Sequence, residues 1–175
     1  GVRLSGGVDG EAAASAYSAY AAAIEPYYFD VMIYGGSDTP VQNALETFIT
    51  RVNTEVGRYT QLVEPNATGP DSRFTVNVCN GFVMNDGTIL SAEEACWWAG
   101  GALAGATYGN DLTNAVVPNA VDVSPRMTHS QYVDAINKGQ FVFNADDGTV
   151  RVEYDINSLI TYTSEIGEEY RYNRA

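Results

Sequence analysis

Histidine, cysteine and basic residues are all scarce in this chain. It has one His, two Cys and nine Lys or Arg among 175 residues. The single histidine, His129, would have to serve any Ser-His-Asp arrangement. It follows Thr128, which has the pattern of a helix N-cap, so it reads as a solvated residue at a helix start. Cys79 and Cys96 have no CxxC partner and no neighbouring His, so no zinc spacing exists. They read as two free buried thiols, and the sequence alone does not decide whether they pair. The nine bases face 22 acids, for a net charge of -13. A surface this negative repels phosphate, which argues against nucleic acid and against anionic membranes as partners. The uncharged run from Ala95 to Tyr108 spans 14 residues, short of the roughly 18 needed to cross a bilayer. Nothing at the start reads as a signal peptide, so the sequon Asn66-Ala67-Thr68 carries no expectation of a glycan. There is no P-loop, no HExxH and no convincing pair of catalytic carboxylates. No catalytic, cofactor-binding or metal-ligating residue is therefore expected, and no cofactor.

What is present is a folded profile, 45% hydrophobic and 18% charged. The length suits one domain, able to bury roughly 70% of its unfolded surface.

The stretch "AEEACWWAGGALAGA" (92–106) sets two tryptophans before a run of Ala and Gly. Gly100–Gly105 loosely fits GxAxxG, but a dinucleotide loop must lie between a strand and a helix start. Here Ser91 and Glu94 form a capping box, so the helix begins well before the glycines. Gly101, Ala104 and Gly105 then read as a small face packed closely in the core, where Gly101→Leu is expected to destabilise. Trp97 and Trp98 point to different sides of this helix. At most one is core, and the other is a candidate interface residue.

Elsewhere, an early helix is expected at about 11–24. A buried strand "YYFDVMIYGG" (27–36) leads to a helix capped by Ser37 or Asp38, with Pro40 near its start. Val41, Ala44, Leu45, Phe48, Ile49, Val52 and Val56 give that helix one apolar face, and Gly57 stops it. Strands follow at 59–64 and 74–79. "GFVMNDGTIL" (81–90) reads as a hairpin turning at Asp86-Gly87. Residues 114–123 are extended, edge-like or bulged at Pro118. A Thr128/Gln131 capping box opens a helix ending at Gly139, and 140–155 reads as a second hairpin around Asp147-Gly148. Alternating strands and helices predict an α/β fold: a mixed, largely parallel sheet with helices on both faces and added β-hairpins. Residues 1–156 form the core domain, and 157–175 a linker or arm.

Three further motifs are discounted. "SGGVDG" (5–10) has too little chain before it for the strand a nucleotide loop needs. Asp146-Asp147-Gly148 lacks the other calcium-loop ligands, with Phe143 and Ala145 where Asp or Asn belong. Glu168 and Glu169 read as a solvated face.

Five segments in order resemble the tail sheath proteins of contractile phages, and most the type in phages and prophages of Gram-positive bacteria. They are "LSGGVDG" (4–10), "FDVMIYGGSD" (29–38), "VNVCNGFVMNDGTILSAEEACWWAGGALAGA" (76–106), "VDVSPRMTHSQYVDAINKGQFVF" (121–143) and "DDGTVRVEYDINSLITYT" (146–163). The resemblance implies a structural subunit that polymerises around an inner tail tube and contracts to drive it through the host envelope. Implied partners are other sheath subunits, the tube, and the baseplate and tail terminator proteins. The implied location is the virion, with assembly in the bacterial cytoplasm. Family chains are longer at both ends, so this one is expected to be a central piece, monomeric or weakly associated by itself. Two other readings stay open: a doubly wound enzyme domain binding a nucleotide or small anion, and a carbohydrate-binding module using Trp97 or Trp98.

Overall fold

The computed structural model describes residues 13–107 and 109–173. The segments 1–12, which hold "SGGVDG" and "LSGGVDG", lie outside the described residues.

Four parallel strands form the central sheet, in the order β1 (Val31–Ile33), β2 (Gln61–Pro65), β3 (Thr75–Val78) and β7 (Gln140–Phe141). Helix α2 (Thr39–Arg51) links β1 to β2 and covers one face, with α1 (Ala14–Ile24) packed on its outside. Helix α3 (Ala92–Gly105) covers the other face. A three-stranded antiparallel sheet, β5 (Ile89–Leu90), β4 (Gly81–Met84) and β6 (Ala120–Ser124), lies beyond the end of β3. Helix α4 (His129–Asn137) leads into β7, and the hairpin β8 (Phe143–Asp146) with β9 (Thr149–Val152) packs on β6. The α/β class, the parallel sheet, the helices on both faces and the added hairpins match the sequence reading.

The local signals explain these elements. Asp38, not Ser37, caps α2: its carboxylate accepts from the Val41 N–H at 3.1 Å. Val41, Leu45, Phe48, Ile49 and Val52 are buried along one stripe, as the period requires. Val56 is 40% exposed, because a π-helical turn at Val52–Val56 rotates it off the stripe before Gly57 ends the element at φ +75°. Both capping boxes close, Ser91 with Glu94 and Thr128 with Gln131. Pro118 falls before β6, which is an edge strand, with a bulge opposite it between Val83 and Met84.

Three expectations need correction. The closely packed face of α3 is Ala95, Cys96, Ala99 and Gly100. Gly101, Ala104 and Gly105 are exposed, and a Cβ on Gly101 would meet nothing within 4 Å. The close approach is at Gly100, where a Cβ would lie 2.4 Å from Ile33 Cγ1. The helix was placed correctly and turned wrongly, because Ala and Gly on every side leave no amphipathic signal to orient it. The first strand is only three residues long, and Tyr27 and Tyr28, at the start of the expected strand, are exposed. Finally, 140–155 is not one hairpin. Phe141, Val142 and Phe143 are buried in succession, and the chain there passes from the parallel sheet into the hairpin.

Two side chains act as pieces of backbone. Asn77 exchanges two hydrogen bonds of 2.9 Å with the N–H and C=O of Ala67, which fixes the loop from β2 to β3. Asn80 does the same with Phe143, at 2.8 Å each way, and ties β8 to the approach to β4.

Candidate interaction surface

A nucleotide-binding α/β domain holds phosphate where the first strand turns into its helix. Here that turn is Gly35-Gly36-Ser37-Asp38. The Asp38 carboxylate already occupies the helix N-terminus. A Cβ on Gly35 would lie 2.9 Å from the Trp97 indole nitrogen, so the tryptophan edge covers the loop. Helix end and loop are thus filled by the protein's own acid and aromatic, which disfavours a phosphate.

The buried titratable groups form no reaction centre. Glu64 on β2 is fully buried, and neither carboxylate oxygen has a hydrogen-bond partner. Burial first, and then the neighbouring Glu46 carboxyl on α2, push its pKa up to about 9, so it is a neutral acid at pH 7. Burial also pushes the Cys79 thiol up to about 12 and raises Cys96, which leaves neither a reactive thiolate. Both cysteines are free. Asp155 is raised by burial against the pull of the Leu112 N–H and the Asn173 amide, which it accepts at 3.0 and 2.9 Å. Among the described residues no group of three or more His, Cys, Asp or Glu is placed to hold a metal ion, and no helix is long and apolar enough to cross a membrane.

His129 is the exposed first residue of α4. Asp147 and Gly148 form the tip of the β8–β9 hairpin at φ +46° and +71°. Glu168 and Glu169 open a 3₁₀ turn, Glu168–Arg171. Trp98 is partly buried, edge-on to Phe143 with ring centroids 5.6 Å apart, while Trp97 is 59% exposed.

The segment from Asp155 onward does not leave the body of the molecule. Asp155, Ile156, Asn157, Ser158 and Leu159 are buried. The Ser158 hydroxyl accepts from the Ser72 N–H at 3.1 Å and donates to the Ser72 carbonyl at 3.0 Å. Ile156 bridges Tyr172, and Asn173 contacts both Asp155 and Gln61. The described residues thus return to the start of β2.

Beside that return lies a cleft of about 500 Å³, lined by Arg58, Tyr59, Arg73, Phe74, Tyr170 and Tyr172, with Glu169 at its side. Arg58 donates to the backbone carbonyls of Glu25, Pro26 and Tyr27. The Arg73 guanidinium lies 4.7 Å from the Phe74 ring and 5.4 Å from the Tyr170 ring. Of its tyrosines, Tyr59 is 65% exposed and Tyr170 and Tyr172 are 43% and 41% exposed. Tyrosine and arginine are the residue types enriched at protein interfaces. Sequence reasoning missed this surface. The available signal was that three loops carry Arg beside an aromatic: Arg58-Tyr59, Arg73-Phe74 and Tyr170-Arg171-Tyr172.

Comparison with known proteins gives this arrangement its context. Residues 10–158 match the family model of the phage tail sheath protein central domain. The phage-like element PBSX protein XkdK of Bacillus subtilis is 37% identical over 99% of this chain. The chain spans only 38% of that relative's length. The crystal structure of a sheath tail protein from Desulfitobacterium hafniense superposes with a TM-score of 0.91 at 36% identity, over 95% of this chain and 40% of that one. The fold recurs, at 15% identity and a TM-score of 0.65, in the helical sheath of the anti-feeding prophage in its contracted state, over 94% of this chain and 48% of that one. By the family match and the identity to its relatives, the chain belongs to the phage tail sheath proteins and carries their central domain.

Proposed function

We propose that this chain is the central part of a structural subunit of a contractile tail sheath, in a phage or phage-like particle. Whole subunits polymerise around the inner tail tube, attach to baseplate and tail terminator proteins, and contract to drive the tube through the host envelope. Subunits are made in the bacterial cytoplasm and end in the virion tail. The work is mechanical, with no catalysis, metal or cofactor. Residues 1–156 are the core domain, and 157–175 the connection onward to the rest of the subunit. The observation that carries this reading is the family match across residues 10–158, and the filled loop after β1 speaks against the nucleotide-binding alternative. The chain spans 38% of the length of the relative XkdK; strands and arms elsewhere in a whole subunit would supply the strong subunit links, so these 175 residues by themselves are monomeric or weakly associated. The test is to express the full-length protein and image it by electron microscopy. Tubular polymers support the reading, and a soluble full-length monomer under all assembly conditions overturns it.

A further inference from the structure

The surface charge of this chain poses a problem for any polymer of it. Each copy carries a net charge of -13, so neighbouring copies repel. Three of the nine bases are engaged internally. Arg51 pairs with Glu25 and Arg126 with Asp122, and Arg171 is buried. Arg58 and Arg73 make no ion pair among the described residues and face the same cleft, against the one carboxylate of Glu169. Arg58 donates to the neutral carbonyls of Glu25, Pro26 and Tyr27, and Arg73 lies on aromatic rings, so both keep their charge unneutralised. The cleft is thus a local excess of positive charge on an acidic body, rimmed by exposed tyrosines.

The complementary feature lies elsewhere in the fold. The tip of the β8–β9 hairpin presents Asp146 and Asp147 side by side, both exposed, on a turn held by four paired positions of the ladder. Topology sets the two features at opposite ends. The cleft forms at the starts of β2 and β3, next to Tyr59 and Phe74, whereas the hairpin continues past the end of β7 and returns through β9 toward Asp155. A patch at one end that fits a different patch at the other makes a heterologous contact, which repeats from copy to copy without closing.

We infer that the Arg58–Arg73 cleft receives the Asp146–Asp147 hairpin tip of a second copy of this chain. This rests on the sheath reading only for the polymer in which the contact would matter; the contact itself is testable with the chain alone. Arg73 is held between two rings and needs little ordering to meet a carboxylate. The tyrosine rim would exclude water around the pair. Two arginines facing two aspartates at a surface contact give weak association, sensitive to salt.

The experiment is sedimentation equilibrium at low ionic strength over a range of concentrations. It compares the parent chain, Arg73→Glu, Asp146→Lys, and an equimolar mixture of the two variants. Asp146 is exposed and Arg73 partly exposed over the ring of the core residue Phe74, and circular dichroism checks that each variant folds. Each variant alone should lose about tenfold in association constant, the effect of roughly 1.4 kcal/mol. The mixture should regain it, because a Lys tip then meets a Glu cleft and an Asp tip meets an Arg cleft. Variants that associate like the parent, or a mixture no stronger than either variant alone, would overturn the contact. So would a parent chain that stays monomeric while a tetra-aspartate peptide binds it in an Arg73-dependent way, since the cleft would then serve a different acidic partner. Tubes formed by the full-length protein despite such failure would leave the sheath reading standing without this contact.

Discussion

The two faces of the parallel sheet are built differently. The α3 face is aromatic and sealed. Phe82, Phe141, Phe143 and Trp98 stack edge to face with centroids 5.3–5.6 Å apart, and the antiparallel strands close over them. The α2 face is mainly aliphatic and carries the polar burden. It packs Leu45, Ile49 and Leu62, but it also buries Gln42 and, by strand alternation from Leu62, the unpartnered Glu64. Its outer helix, α1, buries only Ala21. Fully packed, well-bonded regions open last and thinly attached ones first. The stable half of this domain is therefore the half that holds the hairpins, and the α1–α2 half is where local opening begins.

The largest expected effect comes from breaking the sealed face. Phe143 is fully buried and touches three aromatic rings. Phe143→Ala should cost about 3–5 kcal/mol and show as a large fall in Tm. A loss below 1 kcal/mol would mean the aromatic cluster does not anchor this half.

Two adjacent glycines sharpen the comparison next. Gly100→Val would drive a side chain into Ile33 and should cost about 1–3 kcal/mol. Gly101→Leu, one residue on, meets nothing. It should be neutral or stabilise by up to about 1 kcal/mol, because Leu is the better helix former. Equal effects in thermal melts would show that α3 is rotated from the position described.

The change specific to the α2 face is in pH dependence. The pKa of Glu64 is raised in the fold to about 9 from an ordinary 4.5. Between those values the folded chain binds more protons than the unfolded one, so stability falls as pH rises. Glu64 should contribute at most about 1.4 kcal/mol per pH unit to that slope. Glu64→Gln removes the contribution, so urea melts from pH 5 to 9 should show a shallower decline in the variant. Identical slopes would refute the neutral buried acid.

Much of this architecture was legible because local chemistry dictated it. Side-chain caps at Ser91 and Thr128, Asp-Gly turns and the period of α2 each answer to one or two residues. What escaped was decided by distant partners. The orientation of α3 depends on Ile33, some 67 positions away from Gly100, and nothing in a run of Ala and Gly announces it. The packing of Asp155–Leu159 depends on Ser72, which bonds Ser158, and on Asn173, which bonds Asp155, partners that no local pattern announces. The Arg58–Arg73 cleft assembles from three separate loops, and no window of sequence contains it.

The locked side chain of Asn80 bears on the chemical ageing of the protein. Asn80-Gly81 is the one Asn-Gly pair in the sequence, and such pairs decay when the glycine nitrogen attacks the asparagine carbonyl carbon to give a succinimide. That attack needs the side chain to swing free. Here both ends of the Asn80 amide are held at 2.8 Å by Phe143, the residue is 1% exposed, and Gly81 is fixed in β4, where even a Cβ would collide with the Leu90 carbonyl oxygen. The bonds that join β8 to the start of β4 thus also protect the sequence's most degradable peptide linkage.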